Sequence, residues 1–204
     1  MVGFNLLASW GLGLVPTGRT VVLAYTTPHA DLDLPDDAPE LSEYRARGWP
    51  ETPYVEHGER TQVVVSGTKR IRGYDLESGA VLWQCGGLSS NVVCSPVSAD
   101  GLLFAGSSYE SQALLAIDLA RARGEITGGE AVLWTRRRAT PYVPSLLLVD
   151  DTLYFLHHYQ GFLARVSART GAEPERAFRL EGVDDVYASP VSAAGRVYVT
   201  DRSG

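Results

Sequence analysis

Four apolar runs recur along the chain, each preceded by a proline-containing lead and a polar turn. Thr52-Pro53-Tyr54-Val55 leads into Gln62-Val63-Val64-Val65-Ser66-Gly67, and Ser95-Pro96-Val97-Ser98-Ala99-Asp100-Gly101 leads into Leu102-Leu103-Phe104-Ala105-Gly106. Val143-Pro144-Ser145-Leu146 passes through Asp150-Asp151 into Thr152-Leu153-Tyr154-Phe155-Leu156, and Ser189-Pro190-Val191-Ser192-Ala193-Ala194-Gly195 runs into Arg196-Val197-Tyr198-Val199-Thr200. The prolines Pro53, Pro96, Pro144 and Pro190 are 43, 48 and 46 residues apart. That period accommodates four short antiparallel strands with their turns. A fifth, weaker start falls near Ser9-Trp10, because Gly18-Arg19-Thr20-Val21-Val22-Leu23-Ala24 reads like the second-strand segment of the other units.

The later half of each unit repeats as well. Ile71-Arg72-Gly73-Tyr74-Asp75-Leu76-Glu77-Ser78-Gly79-Ala80-Val81-Leu82-Trp83 predicts a strand, a turn and a second strand ending in tryptophan. Asp75 can accept hydrogen bonds from turn amides and Gly79 can supply a positive φ, which together make a tight reversal. The next unit has Leu114-Leu115-Ala116-Ile117-Asp118 and Ala131-Val132-Leu133-Trp134, with its turn expanded to include Arg121, Arg123, Gly124, Gly128 and Gly129. The third has Leu163-Ala164-Arg165-Val166 and Ala168-Arg169-Thr170-Gly171-Ala172, with Phe178 near the tryptophan position. Trp83 and Trp134 are placed to fill space between neighbouring units. The expectation is an all-β chain over residues 1–204, a β-propeller of four-stranded antiparallel blades starting near residues 10, 53, 96, 144 and 190.

Ser-Pro-Val, then Asp/Ala-Gly followed by Leu/Val and Phe/Tyr, then Asp-Leu-x-Ser-Gly-x-x-x-Trp, in that order, resembles the quinoprotein-like (PQQ-like) β-propeller repeat. The same repeat is found in quinoprotein alcohol dehydrogenases and in the lipoprotein B subunit of the bacterial outer-membrane protein assembly machine. The resemblance implies a ring of seven or eight blades, of which about four are present here, and hence a truncated gene product or a piece of a longer chain. Open blade edges would then invite self-association. It further implies a periplasmic or cell-envelope location and a non-catalytic scaffold that binds a protein or peptide by β-augmentation or through inter-blade loops. The alternative is a fragment of a PQQ-dependent alcohol or sugar dehydrogenase whose site lies in missing blades; PQQ and calcium enter only under that alternative. A sensor or carbohydrate-binding repeat domain is a third.

Charge and composition narrow the partners. A formal net charge of -6 offers no field for phosphate backbones, so nucleic acid is not expected as a partner. Cys85 and Cys94 can form no disulfide framework and no C-x-x-C motif, and leave a single bridge or two buried thiols open. Met1 to Leu14 has no basic region or cleavage site of a signal peptide, and no stretch reaches the roughly 18 to 20 apolar residues of a membrane-spanning helix. Residues 27–49, rich in Asp, Glu and Pro, read as a loop insertion, with a short helix after Asp37.

Candidate chemistry is sparse. Asp31-Leu32-Asp33-Leu34-Pro35-Asp36-Asp37 fails the EF-hand pattern, since Pro35 stands where an oxygen ligand belongs and Asp36 where glycine is needed. Gly106-Ser107-Ser108 and Ser66-Gly67-Thr68-Lys69 lack the spacing of a nucleophile elbow or a phosphate loop. Adjacent histidines on an extended segment point to opposite faces, so His157 and His158 do not share a metal ion. Adjacent cysteines, found in many quinone enzymes, are absent, and Trp83 and Trp134 sit at the blade-packing position. No catalytic, cofactor-binding or metal residue is therefore assigned. Arg136, Arg137, Arg138, His157, His158 and Tyr159 form the candidate partner-binding surface, because guanidinium forks bind carboxylate or phosphate bidentately and the His-His-Tyr triplet is expected on an exposed turn.

Overall fold

The computed structural model of the protein describes residues 20–24, 55–57, 60–76, 78–157 and 160–204. The expected starts near residues 10 and 53 and the acidic insertion at 27–49, with its short helix, lie outside the described residues. Among those described there is no helix. The strands are, in order, β1 (Thr20–Ala24), β2 (Val55–His57), β3 (Arg60–Gly67), β4 (Arg70–Asp75), β5 (Val81–Gly86), β6 (Val97–Ala99), β7 (Leu102–Ser107) and β8 (Ala113–Asp118). They continue as β9 (Gly124–Glu125), β10 (Val132–Arg136), β11 (Leu147–Val149), β12 (Thr152–Leu156), β13 (Phe162–Ser167), β14 (Phe178–Arg179), β15 (Val191–Ala193) and β16 (Arg196–Tyr198).

Chain order dictates the pairing. β6, β7, β8 and β10 form one antiparallel four-stranded meander, β11 to β14 form a second, and β15 with β16 form a hairpin. Two-residue turns close the β6–β7, β11–β12 and β15–β16 hairpins: Asp100-Gly101 joins β6 to β7 with both residues at positive φ, 50° and 76°, the geometry that matches the twist of the flanking strands. The β4–β5 turn works as its residues require. Asp75 accepts a hydrogen bond from the Ser78 amide at 2.9 Å, and Gly79 sits at φ 72°.

The first sheet departs from the four-stranded pattern. Besides β2, β3, β4 and β5 it includes β1, parallel to β3, and β9, parallel to β5 on its outer edge. β9 belongs by sequence to the next unit: it is the expanded turn after β8, folded back across the gap between the sheets.

The sheets stack face to face, and the strands of the second sheet that lie between its neighbours, β7 and β8, are buried on both sides. In β7, Leu103 and Ala105 enter the cluster that holds Val64, Ile71 and Trp83 of the first sheet, whereas Phe104 enters the cluster that holds Leu153, Phe155 and Val166 of the third. β8 divides the same way, Leu115 and Ile117 to one side and Leu114 and Ala116 to the other. Successive side chains on a strand point to opposite faces, so a sheet covered on both faces needs a continuous apolar run. Leu102 to Ala105 and Ala113 to Ile117 are such runs. The tryptophans occupy these interfaces. Trp83 is 1% exposed and donates its Nε1–H to Gln62 Oε1 at 2.7 Å within its own sheet. Trp134 reaches into the next, donating to the Ala168 carbonyl at 2.9 Å. Repeated four-stranded antiparallel sheets stacked in this manner are the blades of a β-propeller.

Near the inner strands the blades are also joined by serines. The Ser95 amide donates to Ser145 Oγ at 3.0 Å, and the Ser145 amide donates to Ser189 Oγ at 3.0 Å. The Ser-Pro and Pro-Ser leads seen in the sequence therefore carry hydrogen bonds from blade to blade.

Candidate functional site

In an antiparallel meander the second and fourth strands end at the same edge of the sheet, so the loop after β7 meets the connection after β10. The loop after β12 arrives from the next blade. Together they wall a cavity of about 270 Å3 between the second and third blades. Ser108, Tyr109 and Gln112 come from the β7–β8 loop, Ala139, Thr140 and Tyr142 from the connection between blades, and His157 from the end of β12.

The wall is held from below. Thr140, fully buried, donates its hydroxyl to the Ser107 carbonyl at 2.9 Å, while Ser107 Oγ accepts the Ser89 amide at 2.8 Å. The Tyr142 amide donates to the Leu156 carbonyl at 3.2 Å. Gly106 is required here: a Cβ at this position would stand 2.3 Å from Cγ of Pro141. Ala139 takes a left-handed backbone, φ 43°, at the lip. Such conformations cost energy and are kept where the surrounding chain imposes them. The Ser108 hydroxyl is shielded from solvent and has no hydrogen-bond partner. Tyr109 is 61% exposed at the rim. The lining is polar and aromatic, carries no carboxylate, and offers several hydrogen-bonding groups to whatever enters it.

The structure separates the three arginines that the sequence groups. Arg136 turns toward the third blade, donating to the Gly171 carbonyl at 2.9 Å and pairing with Glu173 at 3.2 Å, so it braces one blade against the next. Arg137 donates to the Gly87 carbonyl at 3.0 Å and ties two loops of this end together. Arg138 is exposed and immediately precedes Ala139 of the cavity wall. His157 lines the cavity, its ring 5.4 Å from that of Phe162. His158 and Tyr159 lie outside the described residues. Tyr109, Gln112, Thr140 and Tyr142 were not singled out by the sequence; the signal available was their position just past the ends of β7 and β10, where loops from two blades meet.

The described residues do not fit a quinone and calcium centre. Trp83 is enclosed and Trp134 packs on Gly171 and beside Phe104, so both indoles are engaged in packing between blades. No three His, Cys, Asp or Glu side chains among the described residues converge as metal ligands. Both cysteines are buried and unbridged. Burial pushes the Cys94 thiol up to about 12 and raises that of Cys85, which suits core packing and not nucleophilic chemistry.

Stacked antiparallel blades with tryptophans between them and loop-built walls at one end define a PQQ-like β-propeller. Residues 40–204 match the family model described as outer membrane protein assembly factor BamB, and the chain belongs to that family. No curated protein matches it. Among solved structures, BamB from Moraxella catarrhalis is 21% identical, with a TM-score of 0.48 over 74% of this chain and 46% of that one. The computationally designed Ika8 protein is 14% identical, with a TM-score of 0.50 over 77% of this chain and 45% of the other. A europium-containing methanol dehydrogenase is 17% identical, with a TM-score of 0.43 over 59% and 23%. The chain thus spans less than half the length of each of these structures, and the likeness is one of fold. Among the described residues no helix is long and apolar enough to cross a membrane.

Proposed function

We propose that this propeller is a non-catalytic scaffold that binds a protein or peptide partner in the cell envelope, in the service of outer-membrane protein assembly. The match of residues 40–204 to the assembly-factor family carries the reading. The cavity end is consistent with it. Exposed Tyr109 and Arg138 flank a polar hollow, and tyrosine and arginine are among the residues enriched at the anchors of protein interfaces. A periplasmic or envelope location goes with this reading.

The test is photo-crosslinking from Tyr109 and from Arg138 in the full chain, produced in its own host. Adducts with an outer-membrane assembly protein, weakened by Arg138→Glu, are the expected result. Absence of any protein adduct from this end, together with quinone-dependent alcohol oxidation by the purified protein, would overturn it.

A further inference from the structure

The outer edges of the first and second blades are the same strand in two different states. Val81 pairs with Tyr74 and Trp83 with Gly73, with a register shift between them; Val132 pairs with Ile117 and Trp134 with Ala116, with a shift at the same place. Val81, Leu82, Trp83 and Gln84 of β5 therefore correspond to Val132, Leu133, Trp134 and Thr135 of β10.

On β5 the edge is taken. β9 lies along it in parallel, Gly124 beside Trp83 and Glu125 beside Gln84, and the Ile126 amide donates to the Gln84 carbonyl at 2.9 Å. Glu125 pairs with Arg70 at 2.8 Å. Ile126, only 5% exposed, joins the cluster against which Leu82 packs. On β10 the edge is open among the described residues, where its one neighbour in the sheet is β8. Leu133, the counterpart of half-buried Leu82, is 44% exposed. By the same correspondence the backbone groups of Thr135 point outward, as those of Gln84 do. The third blade ends in β14, which spans only Phe178–Arg179.

We infer that the β10 edge, from Val132 to Arg136, is a strand-addition site for an extended segment of a protein partner. The cis strand on β5 supplies the template for its chemistry. The segment offers backbone N–H and C=O groups to Thr135, an apolar side chain to cover Leu133 as Ile126 does in the cluster of Leu82, and an acidic residue in reach of the exposed cation Arg138 that follows the strand. Backbone pairing gives such a site its affinity and alternate side chains its selectivity. An exposed edge of this length is otherwise a liability, since it templates unwanted pairing. The inference rests on the scaffold reading above and names the surface and the kind of segment it takes.

The experiment places a photo-crosslinking residue at Leu133 in the full chain in its host, with parallel probes at Val81 on the occupied edge and at Tyr109 beside the cavity. It is repeated in Thr135→Pro, which removes the outward N–H at an edge position where proline is tolerated, and in Leu133-neighbouring Thr135→Lys, which charges the edge. Thermal melts show that each variant is folded. The expected result is a partner adduct from Leu133, mapped by mass spectrometry to an extended segment, that falls roughly tenfold in Thr135→Pro for the loss of one backbone hydrogen bond. Hydrogen exchange of the Thr135 amide slows in the complex. Adducts that ignore both variants, equal adducts from Val81, or adducts only with a second copy of this chain overturn the inference. Adducts from Tyr109 with none from Leu133 leave the scaffold reading standing and remove the edge; no adduct from any probe removes the edge, and joined to quinone-dependent alcohol oxidation by the purified protein it removes the scaffold reading too.

Discussion

Trp134 lies across Gly171 of the following blade, so close that a Cβ on the glycine would come within 2.7 Å of Cε3 of the indole. Gly171 also holds φ 67°, in a turn where its amide donates to the Ser167 carbonyl at 2.8 Å. The tryptophan of one blade and the turn glycine of the next are therefore a matched pair. Gly171→Ala meets both the clash and the left-handed backbone, and is expected to lower stability by about 2 to 4 kcal/mol. Chemical denaturation followed by tryptophan fluorescence reads this directly; an unchanged midpoint would mean that the blades do not rest on this contact.

Ser145 both receives the amide of Ser95 and gives its own amide to Ser189. Ser145→Ala removes only the first of these bonds, leaving the part-buried Ser95 N–H without its acceptor. The expected loss is about 1 to 3 kcal/mol. Ser189→Ala should cost a similar amount, and the double variant tests whether the two bonds couple, since neighbouring sites in one network depart from additivity.

Glu125 holds β9 to the first blade, and its carboxyl is held at about 2, below the ordinary 4.5, first by the Thr127 hydroxyl and then by the Arg70 guanidinium. A lowered folded-state value means that the ionised carboxylate contributes fully above about 4.5 and that the contribution fades as the pH falls toward 2. Hydrogen exchange at the Ile126 amide should accordingly accelerate through that interval relative to amides of the β7–β8 ladder. Glu125→Gln should abolish the extra acid sensitivity; parallel acceleration at both places would assign it to global acid unfolding.

Cys94 is fully buried with its thiol raised to about 12, and Cys85 is raised as well. Neither should react with a disulfide reagent such as dithionitrobenzoate near neutral pH until the protein unfolds, and both should react in denaturant. Release of a thiol equivalent from the native protein within minutes would show that this core opens.

The repeat was legible because its signals are local. A proline lead, a two-residue turn and a continuous apolar run fall within about a dozen residues of one another, and β6, β11 and β15 follow Pro96, Pro144 and Pro190. What escaped is non-local or too short to have a period. β9 spans only Gly124–Glu125, and its partner β5 lies in the preceding unit, so the segment read as an expanded turn. Glu125-Ile126-Thr127 between glycines was the available hint, with two β-branched residues where a plain turn needs none. The arginine run escaped for a different reason. Neighbouring side chains leave an extended backbone in opposite directions, so of three consecutive charges one braces the next blade and two are exposed, the first of them also tying two loops. The cavity needed loops from two blades at once, and no single stretch of sequence contains it.

The folded-back strand β9 also imposes an order on biosynthesis. The Gly86 amide finds its acceptor in the Thr127 hydroxyl, 41 residues downstream. As the chain leaves the ribosome, the first blade can close its hairpins from local contacts alone, but its outer rim must wait for the second blade to emerge almost entire. During that interval the nascent chain carries an unfinished β5 rim, at the stage when a premature neighbour could seize it. Completion of the second blade then retires that hazard without help from another molecule.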